Sequence, residues 1–208
     1  MNVSDAVAYD VYDWTNRILV WCIYVLKICF LDDDDMSTDP QDAASRSQQL
    51  SALRSFEQDW NTMKPTIFNP IYYVDRDATN GRYFPQLWMT DPCQVVALQN
   101  IELGRIVLAS HDLAAKRIGI GASAAQRSQE SIFRSSTRMI CGLALSNSTS
   151  QPALVTAGLA ITLCGEYFVD RGEQNALLDI LKTLRREHAW PTKDLAAQLV
   201  RAWAASEG

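Results

Sequence analysis

Polar and apolar positions alternate along the chain in helical blocks, and one block stands apart. Residues 153–164 run for twelve positions without a charge, opened by Pro152 and closed by Gly165. A segment apolar on every side is expected, as a helix, to be buried on every side, here as a central helix that others wrap. Twelve residues rise only about 18 Å, too short to cross a bilayer.

The first block begins with Ser4 as an N-cap and predicts a helix to about Leu31. Residues 18–31 are apolar except for Lys27. This is shorter than the roughly twenty residues of a membrane helix, so a core or interface helix fits better. Leu19, Cys22, Ile23, Leu26 and Phe30 fall on one face, widened by Trp21, Val25 and Ile28. If the helix lies half exposed, Ile18, Trp21, Val25 and Ile28 are the candidate interface, because so large an apolar face marks a partner.

Four aspartates follow at 32–35, without the glycine and terminal glutamate of a calcium-binding loop. Residues 32–47 therefore read as a mobile acidic and polar loop. Leu50, Leu53, Phe56, Glu57 and Trp60 predict a second helix over 50–63, stopped by Lys64-Pro65. Residues 64–90 form an aromatic-rich irregular connection with room for a short strand pair. Its length marks it as functional, with Tyr72, Tyr73, Tyr83, Phe84 and Trp88 as the candidate lining of a ligand pocket.

Asp91-Pro92 opens a third helix, with Asp91 as cap, reaching about Ser110. After a loop over 111–121, a fourth helix spans about 122–145. A sixth runs from Arg171-Gly172 to His188 on Ala176, Leu177, Ile180, Leu181 and Leu184. The turn Trp190-Pro191-Thr192 leads into a last helix carrying Leu195, Leu199, Val200 and Trp203. The expected fold is all-α: one domain over 1–208, an irregular bundle of about seven helices around a buried central helix.

Composition narrows the function classes. A net charge of −5 over 208 residues argues against a nucleic-acid surface. Five scattered cysteines, several in apolar helical runs, suit buried reduced thiols, and no secretory signal is visible. Cys22 and Cys29 lack a Cys-x-x-Cys partner, so no metal site is expected. Gly119-Ile-Gly121 follows no strand and reads as a loop, not a phosphate cradle. Ser110, His111 and Asp112 are adjacent and so poorly placed to form a triad. Cys141 and Cys164 read as structural thiols; Glu166, Asp170 and Arg171, just past the central helix, read either as caps and ion pairs at its end or as the mouth of a pocket. No catalytic, cofactor-binding or metal-ligating set emerges.

A longer pattern is carried by several motifs in order. They are Asp13-Trp-Thr-Asn-Arg17, Trp60 and Pro65, Phe68-Asn-Pro70, and Phe84-Pro85 with Trp88. Arg138-Met-Ile-Cys-Gly142, Ser146-Asn147, Pro152-Ala153, Thr156-Ala157 and Cys164-Gly165 follow. Asp170-Arg171, Glu173-Gln174, Leu177-Leu178, His188-Ala-Trp-Pro-Thr192 and Ala202-Trp203 complete it. Together they resemble the C-terminal part of the fungal-specific transcription factor regulatory domain, without that family's zinc binuclear cluster and basic linker. The resemblance covers about residues 8–204. It implies a helical, nuclear regulatory domain acting through protein partners or a homo-oligomer, with or without a small-molecule effector. It also implies no direct nucleic-acid contact, no membrane and no catalytic residues. The alternative is a stand-alone small-molecule binder or enzyme of fungal metabolism on the same scaffold.

Overall fold

A computed structural model describes residues 10–31, 40–111, 121–148 and 150–206. The described residues form seven α-helices and one two-stranded sheet, the expected all-α bundle. Helix α1 spans Val11–Leu26 and then widens into a π turn, Lys27–Leu31. Its cap is Asp10, whose carboxylate accepts from the Tyr12 and Asp13 backbone N–H groups at 2.9 Å. The expected cap Ser4 and the aspartates 32–35 lie outside the described residues.

Helix α2 spans Pro40–Met63, starting about ten residues before the apolar pattern does. Helicity thus reaches into the segment expected to be a mobile loop. Polar residues fill most of these first turns, and among the described side chains Leu50 is the first apolar one the helix buries. The early turns are nonetheless tied down, since Arg46 Nη2 donates to the Ile28 carbonyl at 3.0 Å.

The connection then folds into a hairpin, β1 (Tyr72–Val74) against β2 (Gln86–Trp88), antiparallel with Tyr72 opposite Trp88. Helix α3 (Pro92–Ser110) opens with the expected Asp91 cap: Cys93 N–H donates to Asp91, and Gln94 Oε1 accepts from the Asp91 N–H. Helices α4 (Ala122–Ser146), α5 (Gln151–Cys164), α6 (Arg171–His188) and α7 (Lys193–Ser206) complete the bundle.

The central helix is α3, not the charge-free α5. From Cys93 to Ala109 no residue of α3 is exposed. It gives Ala97, Ile101, Val107 and Leu108 to one core cluster and Val95 and Ile106 to the other. Helix α5 buries only one side, through Ala153, Ala157, Ala160, Ile161 and Cys164; Leu159 and Leu163 are 49% and 45% exposed. Small side chains on the buried stripe let α4 and α6 approach, and the leucines are left outside. The polar residues of α3 conceal its position in the sequence, because Gln99, Asn100, Glu102 and Arg105 find partners inside the bundle or on their own helix. Gln99, for instance, is fully buried and its amide donates to the carbonyls of Ile140 and Ala153 at 3.1 Å.

The two clusters are built differently. The first joins α1 to α2 and the turn after it through rings, Trp14 to Trp60 at 5.9 Å, Trp21 to Phe56 at 5.5 Å, and Trp60 to Phe68 at 5.1 Å, with aliphatic residues of α3 beneath them. Trp21 lies on the backbone of Gly104, where any Cβ would strike its ring. The second gathers the hairpin and α3 to α7 around small residues. There Gly142 leaves room for the Pro85 carbonyl, carrying the hairpin onto α4.

Candidate functional site

The polar residues that carry the family resemblance are spent on architecture. Arg138 on α4 grips Glu173 on α6 with two parallel hydrogen bonds, Nε–Oε1 at 2.7 Å and Nη2–Oε2 at 2.9 Å. Glu173 is buried, Arg76 approaches the same carboxylate at 3.6 Å, and the Arg138 guanidinium lies over the Phe168 ring. Asp170 caps the start of α6, not the end of the charge-free helix, by accepting from the Glu173 N–H at 2.9 Å. Gln174 donates to the Phe168 carbonyl, Thr192 to the Leu181 carbonyl, and Trp203 to the Gly165 carbonyl. Asn147 donates to the Leu87 and Leu143 carbonyls and accepts from the Met89 N–H. These bonds fix α4 to α7 and the hairpin relative to one another, and none presents a reactive atom to solvent.

The hairpin brings together four of the five aromatic residues expected to line a pocket. Tyr72, Tyr83, Phe84 and Trp88 meet around a cavity of about 500 Å³ between the hairpin and α4 and α6. Tyr72 and Trp88, opposite each other in the sheet, have ring centroids 4.5 Å apart. Arg82, Asp179 and Thr183 supply polar groups at its wall. Tyr73 goes elsewhere, because successive strand residues point to opposite faces. It lines a second cavity of about 330 Å³ with Trp60, Lys64 and Glu102.

A charged cluster borders that second cavity. Arg105 Nε meets Glu57 Oε1 at 2.6 Å, its Nη1 meets both Glu102 oxygens at 2.9 Å, and its Nη2 donates to Asn61 Oδ1 at 2.7 Å. Burial pushes the Glu102 carboxyl above the usual carboxylate range, against the opposing pull of Arg105. Sequence reasoning passed over this cluster, although its signal was present: Glu57 and Glu102 sit within otherwise apolar helical stripes.

Helix α1 carries a surface, but on the face opposite to the one expected. Ile18, Trp21, Val25 and Ile28, the anticipated interface, are buried in the first core cluster. Ile23, Leu26 and Phe30, placed by periodicity on the inward face, are exposed. The inward stripe is set by Trp14, Ile18, Trp21 and Val25, because Gly104 on α3 and Phe56 on α2 receive Trp21. What remains outside is Tyr12, Val20, Ile23 (62% exposed) and Tyr24, a row of large apolar groups on a helix whose other side is filled. The tryptophans seven residues apart were the signal for the inward face.

The other candidates resolve into structure. Ser110 Oγ lies 2.9 Å from His111 Nδ1, closer than adjacency suggested, but it also donates to the Val107 carbonyl at the end of α3. Asp112 and Gly119 lie outside the described residues; Gly121 sits with a φ of 94° at the start of α4. Cys22, Cys29, Cys141 and Cys164 are buried free thiols. Burial pushes Cys22 up to about 11 and Cys164 up to about 12, so neither is a thiolate at neutral pH. Among the described residues no group of three or more His, Cys, Asp or Glu is placed to hold a metal ion, and no helix is long and apolar enough to cross a membrane.

Comparison with protein-family models, with characterised proteins and with solved structures finds no match to this chain.

Proposed function

We propose that this chain is a regulatory helical domain of the fungal-specific transcription factor type, acting in the nucleus through protein contacts. It has no DNA-contacting surface of its own and reaches DNA only through a partner or tethered domain. The observation that carries the reading is the outward face of α1, where Tyr12, Val20, Ile23 and Tyr24 stand exposed on a helix already packed on its other side. The net charge of −5 agrees with the exclusion of DNA.

The test is a reporter assay in a fungal cell with the chain fused to an unrelated DNA-binding domain. The fusion changes reporter output, Ile23→Glu removes the change, and Trp88→Ala keeps it. An output equal to that of the DNA-binding domain alone contradicts the reading. DNA binding by the isolated chain in moderate salt contradicts the second half of it.

A second reading is favoured by the hairpin cavity. Tyr72, Tyr83, Phe84 and Trp88 around about 500 Å³, with Arg82 and Asp179 at the wall, suit a flat hydrophobic metabolite bearing one or two polar groups. Native mass spectrometry of the chain purified from a fungal host decides it. An adduct of fixed mass that is lost in Trp88→Ala supports it, and a bare chain opposes it.

A further inference from the structure

The pattern of charge along α1 says more about what covers its outward face. Asp13, Asn16, Val20, Ile23, Tyr24 and Lys27 are all exposed, and at 100° per residue they fall within an arc of about 100°. Asp13 stands seven residues before Val20 and Lys27 seven residues after it. Each lies about 10 Å from Val20 along the axis. The stripe is therefore apolar in the middle, acidic at its N-terminal end and basic at its C-terminal end.

We infer that the occupant of this face is a second copy of the chain, bound with its α1 antiparallel about a two-fold axis at Val20. The inference rests on the reading of this face as a protein contact and names the partner. In that arrangement residues whose numbers add to 40 face each other. Val20 meets Val20 on the axis, Asn16 meets Tyr24, and Asp13 meets Lys27, each of the last two pairs occurring twice. The tyrosine hydroxyl and the asparagine amide are a matched hydrogen-bonding pair. Parallel pairing would set Asp13 against Asp13 and Lys27 against Lys27, so the charges select the antiparallel form. Both ionic pairs sit at the rim, where they govern orientation more than affinity, while Val20, Ile23 and Tyr24 supply the apolar centre.

Sedimentation velocity of the whole chain, from nanomolar to high micromolar concentration, tests this. The wild type passes from monomer to dimer. Asp13→Lys and Lys27→Asp each turn two attractions into two repulsions and weaken self-association by about tenfold. An equimolar mixture of these two chains forms a heterodimer, and the doubly reversed chain self-associates like the wild type. Val20→Glu sets two like charges on the axis and weakens the dimer by about a hundredfold. All three positions are exposed, and circular dichroism checks that each variant keeps its helices. A wild type that stays monomeric throughout overturns the inference. So does a dimer indifferent to Val20→Glu, or a doubly reversed chain no better than the single reversals. A monomeric wild type whose Ile23→Glu variant still loses reporter output would leave the protein-contact reading standing with a different partner.

Discussion

The two halves of this bundle are held in contrasting ways. Around α4 to α7, relative positions are set by side chains that reach across to a backbone carbonyl or to one buried carboxylate, as Asn147, Gln174, Thr192, Trp203 and Arg138 do. Around α1 and α2, positions are set by ring contacts and the fit of Trp21 onto Gly104. Directional bonds specify one arrangement even where Leu145, Leu159, Leu163 and Val169 stay exposed. Ring packing fills one side of a helix and leaves the other to be covered. The half with directional bonds is thus the frame, and the ring-packed half presents the contact face.

That contrast can be broken at either end. Trp21→Ala removes the largest fully buried side chain of the first cluster and should cost about 4 kcal/mol, the usual range for a buried aromatic truncated to alanine. Urea unfolding measures the loss, and hydrogen exchange should quicken first in α1 and α2. Glu173→Gln leaves the Arg138 guanidinium without its ionic partner and should cost about 3 kcal/mol. Its exchange signature should instead appear in the hairpin and at the start of α6. The same signature for both variants would show that the halves do not differ as described.

A smaller effect comes from Glu102, on the helix shared by both halves. Its carboxyl is pushed up by burial, so the native state holds that proton more tightly than the unfolded chain does. Stability therefore falls as pH rises from the ordinary carboxylate range through the raised value. Glu102→Gln should flatten that fall, read as the unfolding midpoint against pH; an unchanged slope would mean that Arg105 has cancelled the shift. The smallest effect is chemical. Iodoacetamide at neutral pH should modify half-buried Cys93 ahead of buried Cys22, Cys141 and Cys164, whose thiols are held up by desolvation. Peptide mass mapping gives the order.

Much of this frame can be read from the residues, and the reasons are local. Asp91-Pro92 announces a helix start because a carboxylate accepts from the first free N–H groups. The hairpin brings Tyr72, Tyr83, Phe84 and Trp88 to one cavity, but strand alternation sends Tyr73 to the other face. The facing of α1 is harder to read, since Ile18 and Ile23 are equally apolar and only the spacing of Trp14 and Trp21 marks the inward side, which Gly104, some eighty residues away, is shaped to receive. The central place of α3 was hidden for a similar reason. Gln99, Glu102 and Arg105 look solvent-bound until their partners on α2, α4 and α5 are known. The first ten residues of α2 carry no apolar period, so their helicity rests on contacts such as Arg46 with the end of α1.

The most direct test of the contact face compares two tyrosines in one sample. Tyr24 on α1 and Tyr73 on the hairpin are 52% and 51% exposed, so hydroxyl radicals should modify them at similar rates in dilute protein. As the concentration rises, the Tyr24 rate should fall while the Tyr73 rate stays constant. A constant Tyr24 rate, or protection of Tyr73 in its place, would contradict the assignment of α1 as the surface through which this chain meets its own copy.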